Sequence, residues 1–176
     1  MKRTIKQVFG ALALVCLSAT PGLAGDLDDE TIFAIFDQAN MADIATGRLG
    51  WTKGHHEDVR ALARMVVTDH TAVQQMGRDL AAKLDILGTP PANDMSWGSL
   101  AKTLADLSVL SGPEFDAAYL RHEVAFHSAV IEAVRTTLLP SIEDEAFKGL
   151  VVKVLPGFEH HLAETKATAD RLGLSY

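Results

Sequence analysis

Apolar residues recur at three- and four-residue intervals along most of this chain, and strand-like alternation is nearly absent. That spacing is the mark of helices with one apolar face. It predicts a first helix over 28–51 ("DDETIFAIFDQANMADIATGRLGW"), with acidic residues in its first turn. After a tight turn at Gly54, a second helix runs from about His56 to Leu87 and is closed by "GTPP". Residues 88–112 form a long connection holding a short helix, "WGSLAKTLADL". Pro113 suits the first turn of a third helix reaching Leu138. Pro140 and Ser141 interrupt the chain, and "SIEDE" starts a fourth helix that ends near Leu172, with Pro156 expected to kink it.

The connection lengths suggest how these helices are arranged. Helices 1–2 and 3–4 are joined tightly, so each pair is expected to form an antiparallel hairpin. The roughly 25-residue link between helices 2 and 3 can travel the length of a bundle. The predicted fold is therefore all-α: a ferritin-like four-helix bundle of two antiparallel hairpins, joined by a long crossover with a short extra helix.

Several polar residues interrupt the apolar arcs. Ile32, Phe36 and Ala39 define the arc of helix 1, and Asp43 lies near its middle. Val59, Leu62, Val66, Val73 and Leu80 define that of helix 2, with His70 just to one side and Asp69 to the other. In helix 3, Glu123 and His127 fall close to the centre of an arc set by Phe115, Tyr119, Val130 and Val134. In helix 4, Val151, Val154, Phe158 and Leu162 place His161 inside and His160 outside. Burying a polar group without a partner costs roughly 2–7 kcal/mol, and a carboxylate costs more. A shared divalent cation would satisfy imidazole nitrogens and carboxylate oxygens together. A buried His–carboxylate network without metal fits the same pattern, with Asp43 or Glu123 paired to Arg48, Arg121 or a backbone amide.

Other features narrow the picture further. Lys2, Arg3 and Lys6, the apolar run "VFGALALVCLSA" and the small residues of "GLA" ending at Ala24 read as a secretory signal peptide. The apolar run is short for a membrane span, and Val15 before Cys16 does not suit lipoprotein processing. The expectation is a periplasmic or secreted single domain, 25–176, without stable membrane insertion. Cleavage removes three of the 16 basic residues, none of the 23 acidic ones and the single cysteine. The remaining segment is acidic and has neither a disulfide nor a thiolate ligand, so nucleic acid is excluded as a partner. No Ser-His-Asp set or phosphate loop can be argued, and no organic cofactor is expected. His55 and His56 read as a solvated helix start, His122 and His160 as solvent-facing, and Trp51 and Trp97 as packing residues. Tyr119, one turn before Glu123, reads equally as its hydrogen-bond partner or as core.

The segments "MVVTDHTAV", "SGPEFDAAYLRHEVAFH" and "LPGFEHHLAETKATADRL" resemble the exported bacterial family described as domain of unknown function 4142. The resemblance covers about 30–173 and implies a ferritin-like four-helix fold. The family's recurrent histidines match His70, His127 and His161, and its acidic position in the first helix, more often Glu, matches Asp43. The chain departs from the ferritin-like di-iron pattern, because no Glu-x-x-His occurs in it. The nearest arrangements are Glu123–His127 at i, i+4 and His161–Glu164 in reversed order. A set richer in His than in carboxylate shifts the expectation from a di-iron oxidase toward one zinc, copper or iron ion.

The candidate ligands are thus Asp43, His70, Glu123, His127 and His161, with Asp69, Tyr119 and Glu164 as weaker candidates. Three functions follow from these readings. One is a periplasmic metal-binding bundle in metal handling or envelope stress protection. Another is a metal-dependent oxidoreductase acting on oxygen or peroxide. The last is an envelope interaction protein, with a homo-oligomer or an envelope protein as partner, in which the buried polar groups set packing register.

Overall fold

The computed structural model describes residues 27–176. The signal-peptide reading, with Cys16 and Ala24, lies outside the described residues. Among those described, all regular structure is helical: α1 (Asp29–Lys53), α2 (Glu57–Leu84), α3 (Ser96–Ser108), α4 (Gly112–Ala133), a π-helical stretch (Val134–Leu138), a single turn α5 (Leu139–Ser141) and α6 (Glu145–Arg171).

Local chemistry sets the helix starts. The Asp28 carboxylate accepts from Thr31 N at 2.8 Å, and that of Asp144 accepts from Ala146 N and Phe147 N at 2.8 and 2.9 Å. Both occupy donors that the first helical turn leaves unpaired. Three boundaries differ from the sequence reading. Helix α2 stops at Leu84, not Leu87, because Asp85 takes a left-handed conformation (φ 56°). The Ile86 amide then bonds Ala81 O at 2.9 Å, closing the helix before "GTPP" is reached. The third predicted helix is α-helical only to Ala133. Pro140 offers no amide to the carbonyl four residues back, and its ring crowds that carbonyl; the wider π turn just before it accommodates both effects. The fourth helix begins at Glu145 rather than Ser141 and continues through Pro156 as a single helix.

The four long helices form a ring in which α1 packs on α2, α2 on α6, α6 on α4, and α4 on α1. At one end Thr89 N bonds Glu30 O (3.2 Å), and the Asp29 carboxylate accepts from Glu143 N and Asp144 N (2.9 and 2.8 Å). At the other end Asp116 accepts from His55 N and His56 N (both 2.8 Å), and Arg171 reaches Asp58 at 3.5 Å. Helices α1 and α6 therefore run one way and α2 and α4 the other. The crossover, 85–111, spans the bundle's length with α3 packed on α1 and α4.

Each hairpin turn is thus clamped by an aspartate from another helix. Asp116 is 3% exposed, so its loss leaves two turn amides without their acceptor. Asp116→Ala is expected to cost about 2 kcal/mol, read from the urea midpoint, whereas Asp106→Ala on the surface should cost almost nothing.

The apolar interior has two clusters. One, around Ile32, Phe36, Phe147, Val151 and Phe158, fills the end where α1 begins. The other, around Val59, Leu62, Phe115, Tyr119 and Leu120, fills the opposite end. Neither tryptophan joins them, contrary to the packing role expected. Trp97 is 58% exposed, and Trp51 lies open under the Arg64 guanidinium, 5.1 Å from the ring. Both fall off the buried stripe of their helices.

Candidate metal centre

Between the two apolar clusters lies a polar layer. Asp43 from α1, His70 from α2, Glu123 and His127 from α4, and His161 from α6 are each no more than 3% exposed. Each follows an apolar residue of its own helix by three or four positions, such as Val66 before His70 and Phe158 before His161. The same face that buries the apolar residue therefore buries the polar one.

The outer hydrogen bonds determine which nitrogen of each imidazole carries the proton. His70 Nδ1 stands 3.0 Å from Asn40 Oδ1, while the Asn40 amide nitrogen is engaged with Phe36 O at 2.8 Å. The Asn40 oxygen can only accept, so His70 Nδ1–H donates. His127 Nδ1–H donates to the Glu123 carbonyl at 3.1 Å. His161 Nε2–H donates to Asp69 Oδ2 at 3.0 Å. All three N–H groups therefore point away from the polar layer.

What faces inward is the second nitrogen of each ring: Nε2 of His70, Nε2 of His127 and Nδ1 of His161. His70 Nε2 lies 2.8 Å from Asp43 Oδ2 and 3.1 Å from His161 Nδ1, and His127 Nε2 lies 3.3 Å from the same Asp43 oxygen. His70 Nε2 and His161 Nδ1 are within hydrogen-bond distance of each other, whereas His127 Nε2 meets no complementary group. Both Asp43 oxygens, His127 Nε2 and Glu123 Oε2 have no hydrogen-bond partner. Ligands of a tetrahedral zinc ion, bound at roughly 2.0–2.2 Å, stand about 3.3–3.6 Å apart, slightly wider than the spacings seen. Ligand atoms of His70, His127 and His161, and those of Asp43, Glu123 and His127, form two groups whose members lie within 4.8 Å of one another. The donor set therefore fits a divalent cation.

The electrostatics set the groups of the layer apart. Burial holds His127 and His161 below the ordinary imidazole range, disfavouring their charged forms. Burial alone would raise Asp43, but positive charge on the His70 and His127 rings, and a hydrogen bond from His70, draw it below the usual carboxylate range. Burial, and then the Asp43 charge, push Glu123 well above its ordinary value. The shared layer thus drives the two carboxyls apart in acidity.

All five principal candidates meet in this layer. The three weaker ones do not join them as donors. Asp69 is solvent-exposed and holds the outer nitrogen of His161. Tyr119 is fully buried beside Glu123, with its hydroxyl next to that carboxyl. Burial and the neighbouring carboxylates of Glu123 and Asp43 hold its pKa well above the usual phenol range. Glu164 is half-buried and belongs to neither group. His160 is exposed as expected, but His122 is half-buried against Phe126, and burial lowers its pKa to about 4.

Two residues of the layer escaped the sequence reading: Asn40, and Thr46, whose hydroxyl lies 3.5 Å from Glu123 Oε1. Each is three positions from Asp43 on the same helix face, a spacing that could have revealed them.

One protein family, described as a domain of unknown function (DUF4142), matches residues 16–168. No curated protein and no solved structure matches the chain.

Proposed function

This chain belongs to the DUF4142 family, and from that premise we propose that it is an exported, ferritin-like bundle that holds one transition-metal ion among His70, His127, His161 and Asp43, with Glu123 beside them. One observation carries the reading: three imidazoles anchored by their outer nitrogens converge in one buried layer, two of them against the Asp43 carboxylate, where His127 Nε2 and both Asp43 oxygens have no hydrogen-bond partner. A self-sufficient structural network would leave no such group of buried polar atoms unpaired. Outer hydrogen bonds of this kind also set ring orientation and ligand basicity in metal sites.

A nitrogen-rich set favours zinc, copper or iron over magnesium or calcium. One ion suffices, because His127 Nδ1 is committed to the Glu123 carbonyl and each ring has a single lone pair to give. The ferritin-like reading is supported by the ring order of the helices and the single long crossover. Export is supported by the signal-peptide pattern of residues 1–24. Metal handling or protection of the cell envelope is the role that suits a buried site in an exported protein.

The test is metal analysis of protein purified without a histidine tag. About one zinc, copper or iron per chain is expected. A chain that takes up none of the three, even after incubation with excess metal, would falsify the reading.

A further inference from the structure

The donors differ in what lies behind them. The outer partner of His70 is Asn40, itself 2% exposed, and that of His127 is a carbonyl within its own helix. Asp43 and Glu123 are fully buried. His161 alone is backed by a group that solvent reaches. The side chain of its partner Asp69 is 51% exposed, while the imidazole is 2% exposed. The pair spans the seam between α2 and α6, and a single ring separates the exposed carboxylate from the buried donors.

We propose that metal ions reach and leave the centre through the α2–α6 seam, with Asp69 as the carboxylate that first meets the hydrated cation and His161 as the ring that passes it inward. The proposal rests on the metal reading above and adds its loading route. An exposed carboxylate is a hard oxygen donor that a hydrated divalent cation can meet without losing its water shell. Its charge also raises the local cation concentration. His161 then offers a nitrogen on each side of the barrier, Nε2 toward Asp69 at 3.0 Å and Nδ1 toward His70 Nε2 at 3.1 Å. Rotation of this one side chain exposes a ligand nitrogen to the seam while the other four donors stay in place. Asp69, which the sequence offered as a weak ligand, becomes the outer station of the route.

The experiment is stopped-flow uptake of Co(II) by the metal-free chain at low ionic strength. Asp69→Asn keeps an oxygen that can accept from His161 Nε2 and removes only the charge. It is expected to slow uptake about tenfold and to flatten the dependence of the rate on salt. Asp170→Asn, an exposed acid more than two turns further along α6, should change the rate less than twofold. Uptake by Asp69→Asn at the wild-type rate, or a change confined to the release rate, overturns the route while leaving the metal centre standing. Failure of the wild-type chain to take up Co(II), Zn(II), Cu(II) or Fe(II) would instead remove the metal reading, and the route with it.

Discussion

His127→Ala is expected to reduce bound metal from about one ion per chain to background, and to abolish the rise in melting temperature that added zinc produces in the wild type. His127 Nε2 is buried, lacks a hydrogen-bond partner and stands 3.3 Å from Asp43 Oδ2. Alanine removes that nitrogen and also the bulk that keeps water from the centre. An ion that binds only the folded chain stabilises it by about 4 kcal/mol at a thousandfold excess over Kd. For a domain of this size that is a shift of roughly 10 °C, well above scatter. Asn40→Ala makes the finer test, since every donor atom survives. Only the acceptor that fixes His70 Nδ1–H is lost, and the affinity is expected to fall about 10–100-fold. Equal zinc-induced shifts in wild type and His127→Ala would point to a different binding place. Calorimetric titration with zinc measures both variants.

Gly50→Ala should be the most damaging small substitution in the chain. A Cβ at position 50 would lie 2.5 Å from Tyr119 Cζ and under 3.0 Å from two further ring atoms. The ring cannot retreat easily, because Tyr119 is 0% exposed and stacks on Phe115 with centroids 6.0 Å apart. Interiors are close-packed, so relief requires α1 and α4 to separate. The expected loss is about 3 kcal/mol. Metal affinity should fall as well, because Asp43 on α1 and Glu123 on α4 move apart with their helices. Gly149→Ala supplies the opposite sign. Nothing lies within 4 Å of its Cβ position on an exposed part of α6, so alanine should stabilise by about 0.5–1 kcal/mol through helix propensity alone. Urea unfolding of both variants reads the contrast. A Gly50→Ala protein as stable as wild type would mean the α1–α4 contact is looser than the structure has it.

Much of this arrangement was legible before any coordinates. The 3.6-residue period placed all four long helices and put Asp43, His70, Glu123, His127 and His161 on inward faces. The errors came where the period is silent. Asp69 and His70 flank the same stripe, and sequence cannot say that one imidazole turns inward while the neighbouring carboxylate reaches across to α6. Asp85 ended α2 early through a left-handed backbone that Asp tolerates. The π turn before Pro140 and the exposure of Trp51 and Trp97 likewise carry no periodic signal.

Helix type, helix faces and the identity of the inward donors follow from the sequence alone, because they depend on residues three and four apart that any regular helix aligns. Only the tertiary structure decided that four helices bring those donors to one level, with the three imidazole N–H groups turned away from it. That outcome depends on the axial offset between helices and on partners 30 to 92 residues distant, such as Asn40 for His70 and Asp69 for His161. Such distances are set by packing between elements, and no local pattern encodes them.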